Sequence, residues 1–296
     1  STRLSPEAPV PIVSVQYSEY SLGGAANVAA NIKSLGGESL PVGVVGSDED
    51  GTIMSDQFCR NGISAAGLVR SNTRRTITKN RIMVNRQQVV RLDMENHGPL
   101  SSADSQDILW RLKNLAPTAS GVVISDYAKG VITTDLMREI VLEASNNQLP
   151  VFIDPKISHA VDYFGFDFGV IKCITPNRSE AEGLASMPVR SRNEVIIAGE
   201  TIVRKYNCAH VLITLGNDGM ALFSSIGRIE FIPTAAQEVF DVAGAGDTVI
   251  ATLALAYASG YSMSEAAHVA NAAAGIVVGK AGTATVKPEE LAARIK

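Results

Sequence analysis

Short apolar runs rich in Val and Ile recur along this chain, separated by longer stretches of helical spacing, and that alternation constrains the fold more than any other feature. Leu40–Val45, Gly121–Ser125, Pro150–Ile153, Val170–Thr175 and Val211–Leu215 read as buried strands. Among them Ala25–Leu35, Asp104–Leu115, Thr134–Asn146 and Val195–Tyr206 carry apolar residues at helical intervals. Strand, helix and strand in repetition predict a mostly parallel central sheet with helices on both faces, a three-layer α/β/α architecture. Several strands end on polar residues, at Ser125-Asp126, Asp154-Pro155 and Thr175-Pro176-Asn177. Open sheets of this class take their ligands at such carboxyl ends.

Composition supports a buried sheet, since 46% of the 296 residues are hydrophobic and only 5% aromatic, with 25 glycines. A net charge of −4 argues against nucleic-acid and anionic-membrane partners. Cys59, Cys173 and Cys208 are far apart and odd in number, so neither a disulfide framework nor a zinc site is expected. No apolar stretch is long enough for a membrane span, and the expectation is a cytoplasmic protein.

Two stretches break the rhythm. Val10–Gln16 and Thr76–Met94, the latter with a turn at Asn85-Arg86-Gln87-Gln88, read as β structure outside the main sheet, forming a small lid. From Thr248 onward the pattern is almost wholly helical, and Val249–Tyr257 is apolar nearly all round, which predicts a central buried helix. With no repeat or long linker, residues 1–296 read as one domain with a β appendage.

The strongest local motif is Asp241-Val-Ala-Gly244-Ala245-Gly246-Asp247-Thr248, running from a strand-like segment into that helix. Glycines there let the backbone turn tightly and aim N–H groups outward beside a helix N-terminus, which makes an anion hole. Asp247 beside it could take a proton from an attacking hydroxyl. On their own, the eight residues are equally well a turn and a helix cap. Leu22-Gly23-Gly24-Ala25-Ala26-Asn27 introduces an alanine-rich helix where a small ligand could approach the backbone, with Asn27 offering donor and acceptor. Gly275-Ile-Val-Val-Gly279-Lys280-Ala281 lacks the spacing and the hydroxyl of a P-loop, and there is no G-x-G-x-x-G dinucleotide fingerprint. His97, His159, His210 and His268 are scattered and read as structural or surface residues.

The Gly-Gly…Asn motif followed at long range by Asp-x-x-Gly-Ala-Gly-Asp resembles the two signatures of the ribokinase-like (PfkB) sugar kinases, over essentially the whole chain. Within that family the chain is most similar to the kinases of heptose 7-phosphate. The segments that carry this narrower likeness are Ser5–Pro11, Arg91–Asp93, Ser125–Gly130, Ile153–Lys156, Thr175–Asn177 and Asn271–Lys280. The resemblance implies a ribokinase-like fold with a β lid. It also implies ATP-dependent phosphorylation of the anomeric hydroxyl of D-glycero-β-D-manno-heptose 7-phosphate, in ADP-heptose synthesis for the lipopolysaccharide inner core. Other acceptors of the family, or a non-catalytic binding module, are the alternatives. By the same resemblance the family's opening strand, which ends in Gly-Asp, is missing from this chain.

The resemblance also assigns roles. Asp247 would be the base, and Gly244, Ala245 and Gly246 the anion hole for the transferred phosphoryl group. Asn177-Arg178-Ser179-Glu180 matches an N-x-x-E element that places Mg²⁺ and the ATP phosphates, with Glu180 reaching the metal through water; read by itself it is a helix cap. Thr214 and Gly216 would pass beneath the nucleotide and Asn271 would border the adenine. On the sugar-phosphate side, Lys129 and Lys156 follow strand ends beside Asp126 and Asp154, which could read hydroxyls, while Lys79 and Arg81 lie on the lid. Gly23, Gly24 and Asn27 would complete that wall. A monovalent cation near Asp241 and a homodimer formed by pairing two lids are further expectations.

Overall fold

The predicted alternation becomes a six-stranded sheet between two helical layers. A computed structural model of the protein describes residues 5–10, 12–84, 87–157, 169–236 and 238–295. Helix α1 (Ala25–Ser34) leads into a parallel pair, β1 (Gly43–Gly46) and β2 (Leu68–Ser71), joined through α2 (Glu49–Arg60). An antiparallel ribbon follows, β3 (Thr78–Val84) with β4 (Gln87–Met94). Then come α3 (Ser102–Leu115), β5 (Val122–Ser125), α4 (Thr134–Asn146), β6 (Val151–Asp154) and β7 (Ile171–Ile174). Helices α5 (Arg178–Ala185) and α6 (Arg192–Tyr206) lead to β8 (His210–Thr214), β9 (Met220–Ser224) and β10 (Ile229–Ile232). The chain closes with α7 (Ala245–Ala258), α8 (Met263–Val277) and α9 (Pro288–Arg294).

The strand order is β10-β9-β8-β7-β6-β5, parallel from β5 to β8 and antiparallel beyond. Both faces of its strands are apolar, as a doubly covered sheet requires. Val151 and Ile153 of β6, Val211 and Ile213 of β8, and Phe223 of β9 enter one core with α4 and α6. The alternate residues Phe152, Leu212 and Leu222 enter the other, with α7 and α8. Helix α7 is buried on nearly all sides, from Asp247 to Ala254, as its unbroken apolar sequence predicts. Among the described residues the β1–β2 pair has no ladder to the six-stranded sheet, yet Val69 of β2 is buried in the same core. Among the described residues, too, no helix is long and apolar enough to cross a membrane.

Three expectations need correction. Val10–Gln16 is not a strand: apart from Pro11, which lies outside the described residues, it has no regular structure, and no described neighbour ladders to it. Pro11 removes one of the donors such a ladder would use. The lid is therefore the β3–β4 ribbon alone. Of its expected turn, Asn85 and Arg86 lie outside the described residues, as does His159, while Gln87 and Gln88 already belong to β4. Finally, no strand leads into the Asp241 motif, because β10 ends at Ile232 and the described residues between it and α7 are irregular.

Close packing of α6 on the sheet hinges on Gly199, where an added Cβ would lie 2.4 Å from the Phe223 ring. Gly199→Ala is expected to lower stability by about 1–3 kcal/mol, read as a lower midpoint in urea unfolding.

Candidate active site

The carboxyl ends of β5, β6, β7 and β8 converge on the N-terminus of α7 around an open cleft of about 180 Å³. Its walls are Asp126 and Tyr127 after β5, Asp154 to Lys156 at the end of β6, Thr175, Asn177 and Glu180 after β7, and Thr214 on β8. Gly244, Gly246 and Asp247 close it from the helix side. These are the strand ends at which the sequence placed its polar residues.

Asp247 is 4% exposed and both carboxylate oxygens are held. Asn27 donates to Oδ2 at 2.8 Å and the Tyr127 hydroxyl donates to Oδ1 at 2.6 Å. Asn31 supports Asn27 from the next turn of α1, its Nδ2 donating to the Asn27 carbonyl at 2.9 Å, and its own Oδ1 accepts from Thr248 at 3.2 Å. Burial pushes the Asp247 carboxyl above its ordinary range, and the bonds from Tyr127 and Asn27 pull it back. Gly244 has to be glycine twice over: its φ is +79°, and a Cβ there would lie 2.6 Å from Asn27 Nδ2. It begins α7 without any side-chain cap. The Ala245 N–H turns to the Val242 carbonyl, so the first-turn groups left for an anion are those of Gly246 and Asp247. Ala245 therefore drops out of the expected anion hole.

Asn177 and Glu180 satisfy the capping reading of their motif. They form a capping box, Asn177 Oδ1 accepting the Glu180 N–H and Glu180 Oε2 accepting the Asn177 N–H, each at 2.9 Å. The remaining oxygen of Glu180 faces the cleft and receives Lys156 Nζ at 2.9 Å. Asp154, on the neighbouring strand, has its pKa pushed up to about 8 by burial and by the charges of Glu180 and Asp247. Arg178 is turned away, to Asp218 and the Val189 carbonyl, and Ser179 on α5 does not line the cleft. Gly216 (φ +62°) lies just beyond Thr214, and Asn271 donates to the Pro233 carbonyl; neither lines the cleft. The Asp241 carboxylate accepts the N–H groups of Ala243 and Gly282.

The basic residues expected to hold a sugar phosphate do not all gather here. Lys129 is paired with Glu95 at 2.5 Å and Lys79 with the same carboxylate at 3.1 Å, at the base of the ribbon. The Lys129 hydrogen bond leads the effects that bring the Glu95 carboxyl down to about 2. Arg81 is exposed on β3. Gly23 and Gly24 precede α1; Gly24 (φ +55°) lies against the Tyr127 ring, 3.4 Å from where a Cβ would stand. Two residues escaped sequence reasoning. Tyr127 lay inside a run in which only Asp126 and Lys129 were given roles, and Arg74 carried no motif to mark it. Arg74 is buried and donates to the carbonyls of Asn96, Gly98 and Lys129, tying the foot of the ribbon to the loop after β5.

A family model described as pfkB family carbohydrate kinase matches residues 2–290. The chain is 41% identical over 293 residues to the bifunctional protein HldE of Trichlorobacter lovleyi, covering 99% of this chain and 59% of that one. HldE of Geobacter sulfurreducens is 40% identical over 289 residues, covering 98% and 58%. This chain thus spans less than two thirds of the length of these relatives. Among solved structures, Arabidopsis thaliana ribokinase complexed with ribose and ATP has a TM-score of 0.75 at 20% identity, covering 97% of this chain and 91% of its own. The tetrameric inhibited form of phosphofructokinase-2 from Escherichia coli has a TM-score of 0.77 at 16% identity, covering 99% and 93%. At these identities the likeness to the solved structures is one of fold.

The raised pKa of Asp154 sets a sign for stability. Between its ordinary value of 3.8 and about 8, the folded protein keeps a proton that the unfolded chain releases, so stability falls as pH rises through that window. Asp154→Asn should remove this loss, with a melting-temperature gain over the parent that grows from about pH 5 to about pH 8.

Proposed function

The chain belongs to the pfkB family of carbohydrate kinases, and we propose that it transfers the γ-phosphoryl group of ATP to the anomeric hydroxyl of heptose 7-phosphate, yielding the 1,7-bisphosphate for ADP-heptose synthesis. One observation carries the chemistry: a buried carboxylate, Asp247, stands in the cleft at the uncapped N-terminus of α7. In this reading the acceptor oxygen bonds to the γ-phosphorus and its proton passes to Asp247. The bond to ADP breaks, and its electron pair leaves on the β-phosphate. The N–H groups of Gly246 and Asp247, fixed before the reaction, face the transferred phosphoryl oxygens. The choice of acceptor draws on the 125–130 and 153–156 segments and on the likeness to HldE.

The residues present fit a divalent cation carried with the nucleotide. The cleft oxygen of Glu180 already receives a cation in the form of the Lys156 ammonium. Mg²⁺ keeps waters and phosphate oxygens as ligands, so a single protein carboxylate suffices beside a bound nucleotide. Bound there, Mg²⁺ would neutralise phosphate charge, held by Glu180 beside Asn177. Lys156, released from Glu180, would be able to meet an anionic oxygen.

A second reading, an acceptor without a distal phosphate, is favoured by the pairing of Lys79 and Lys129 with Glu95. A homodimer through the ribbon is supported by Met83, Val89, Val90, Leu92 and Met94, all exposed on two strands whose outer edges ladder to nothing among the described residues.

Asp247→Asn should cut sugar phosphorylation by at least about 100-fold while ATP binding by calorimetry persists; undiminished turnover would sink the base assignment. In a coupled ADP-release assay across sugars and sugar phosphates, heptose 7-phosphate should give the highest kcat/KM, and a better neutral sugar would favour the second reading. Light scattering at micromolar concentration should give a dimeric mass for the parent chain and a monomeric one for Leu92→Asp; a monomeric parent would remove the ribbon interface.

A further inference from the structure

In the structure the base proposed above is already occupied. Of the two Asp247 oxygens, Oδ2 is held by Asn27, a residue outside the cleft that is wedged against Gly244. Oδ1 is held by Tyr127, which lines the cleft. An acceptor hydroxyl that is to lose its proton to Asp247 from the cleft has to meet the oxygen that the Tyr127 hydroxyl now meets at 2.6 Å.

The loop that presents Tyr127 is fixed at every step. Asp126 Oδ1 accepts the Ala128 N–H at 2.8 Å, closing a tight turn. Ala128 adopts φ +51°, a left-handed conformation costing about 1–2 kcal/mol for a residue with a Cβ. The Lys129 carbonyl is clamped by Arg74. Gly130 (φ +77°) packs so closely on the Gly98 carbonyl that a Cβ there would stand 2.0 Å from its oxygen. Backbone strain held in place by this many contacts is the pattern of a functional constraint. Burial and the nearby Asp247 charge keep the phenol protonated, so it serves as a donor and cannot compete for the proton. The residue is nonetheless 38% exposed, so an acceptor entering the cleft can reach it.

Resting on the assignment of Asp247 as base, we propose that Tyr127 is a positioning residue that caps the cleft-facing oxygen of Asp247, withholding the base from water until an acceptor hydroxyl takes its place. An uncapped base beside a bound nucleotide could act on water as readily as on a sugar. The water oxygen would bond to the γ-phosphorus, its proton would pass to Asp247, and the electron pair of the broken bond would leave on ADP. A phenol on Oδ1 blocks that route, and a sugar hydroxyl backed by the binding energy of the whole sugar can displace it, whereas a single water cannot.

The test uses the full chain with MgATP and no sugar, following phosphate release. Tyr127→Phe keeps the ring and removes the hydroxyl; it should raise acceptor-free ATP hydrolysis about tenfold, the equivalent of one hydrogen bond to a charged group. Adding Asp247→Asn to that variant should return hydrolysis to the parent rate or below. Hydrolysis unchanged or lowered in Tyr127→Phe, or a rise that survives Asp247→Asn, overturns the cap. Asp247→Asn alone, assayed for transfer to sugar, separates the two readings. Retained transfer there overturns the base and the cap together, whereas lost transfer with unchanged hydrolysis in Tyr127→Phe overturns the cap only.

Discussion

A carboxylate that is 4% exposed needs partners, and meeting that need for Asp247 determines how the two ends of the chain come together. Helix α7 is apolar almost throughout, so it occupies the centre of one helical layer and carries Asp247 in with it. The partners come from far away in sequence, Asn27 from the first turn of α1 and Tyr127 from the loop after β5. The bridge from Thr248 to Asn31 repeats the link between α1 and α7 one position further in. Leaving one of these donors out would strand a largely buried charge, which is costlier than losing an ordinary surface hydrogen bond. The register of α1 against α7 is accordingly fixed by polar contacts set into an otherwise alanine-rich, featureless interface.

The cleft that results is not basic. Asp126, Asp154, Glu180 and Asp247 line it against Lys156, the one lysine among the described lining residues. With Asp154 holding its proton below about pH 8 and Lys156 paired with Glu180, much of the acidic charge there is offset. A polyphosphate entering such a site gains little from side-chain cations and depends on main-chain N–H groups and on whatever cation it carries with it. Under the proposed reading, that division of labour is what would let a mildly acidic chain bind phosphate.

The layered fold was legible because burial on both faces forces strands into uninterrupted apolar runs, and the strand ends were legible because their polar residues stand against that background. Where a segment made few such contacts the pattern misled. Val10–Gln16 alternates like a strand but has no described neighbour to ladder with, and β9 and β10, being antiparallel additions past the repeating unit, broke the expected rhythm. In the site, glycines and acidic residues were readable because few residue types can do their work. Asn177 and Glu180 gave a signal that fits a cap and a ligand alike; their mutual hydrogen bonds form the cap, and the remaining Glu180 oxygen meets Lys156. The partner of a charge was not readable: that Lys129 meets Glu95, or that Tyr127 meets Asp247, depends on loops folding back across long stretches of chain.

Arg74 gives the ribbon a mechanical meaning. Its guanidinium grips the carbonyls of Asn96 and Gly98 just past β4 and that of Lys129 in the loop after β5, and main-chain acceptors of this kind remain whatever side chains surround them. The ribbon's foot and the segment carrying Tyr127 are thereby coupled like the two arms of a lever, with the buried guanidinium as the pivot pin. The Lys129–Glu95 pair and the close packing of Gly130 on the Gly98 carbonyl reinforce that pin, so the ribbon's foot and the segment whose phenol sits on Asp247 are held to each other at three points.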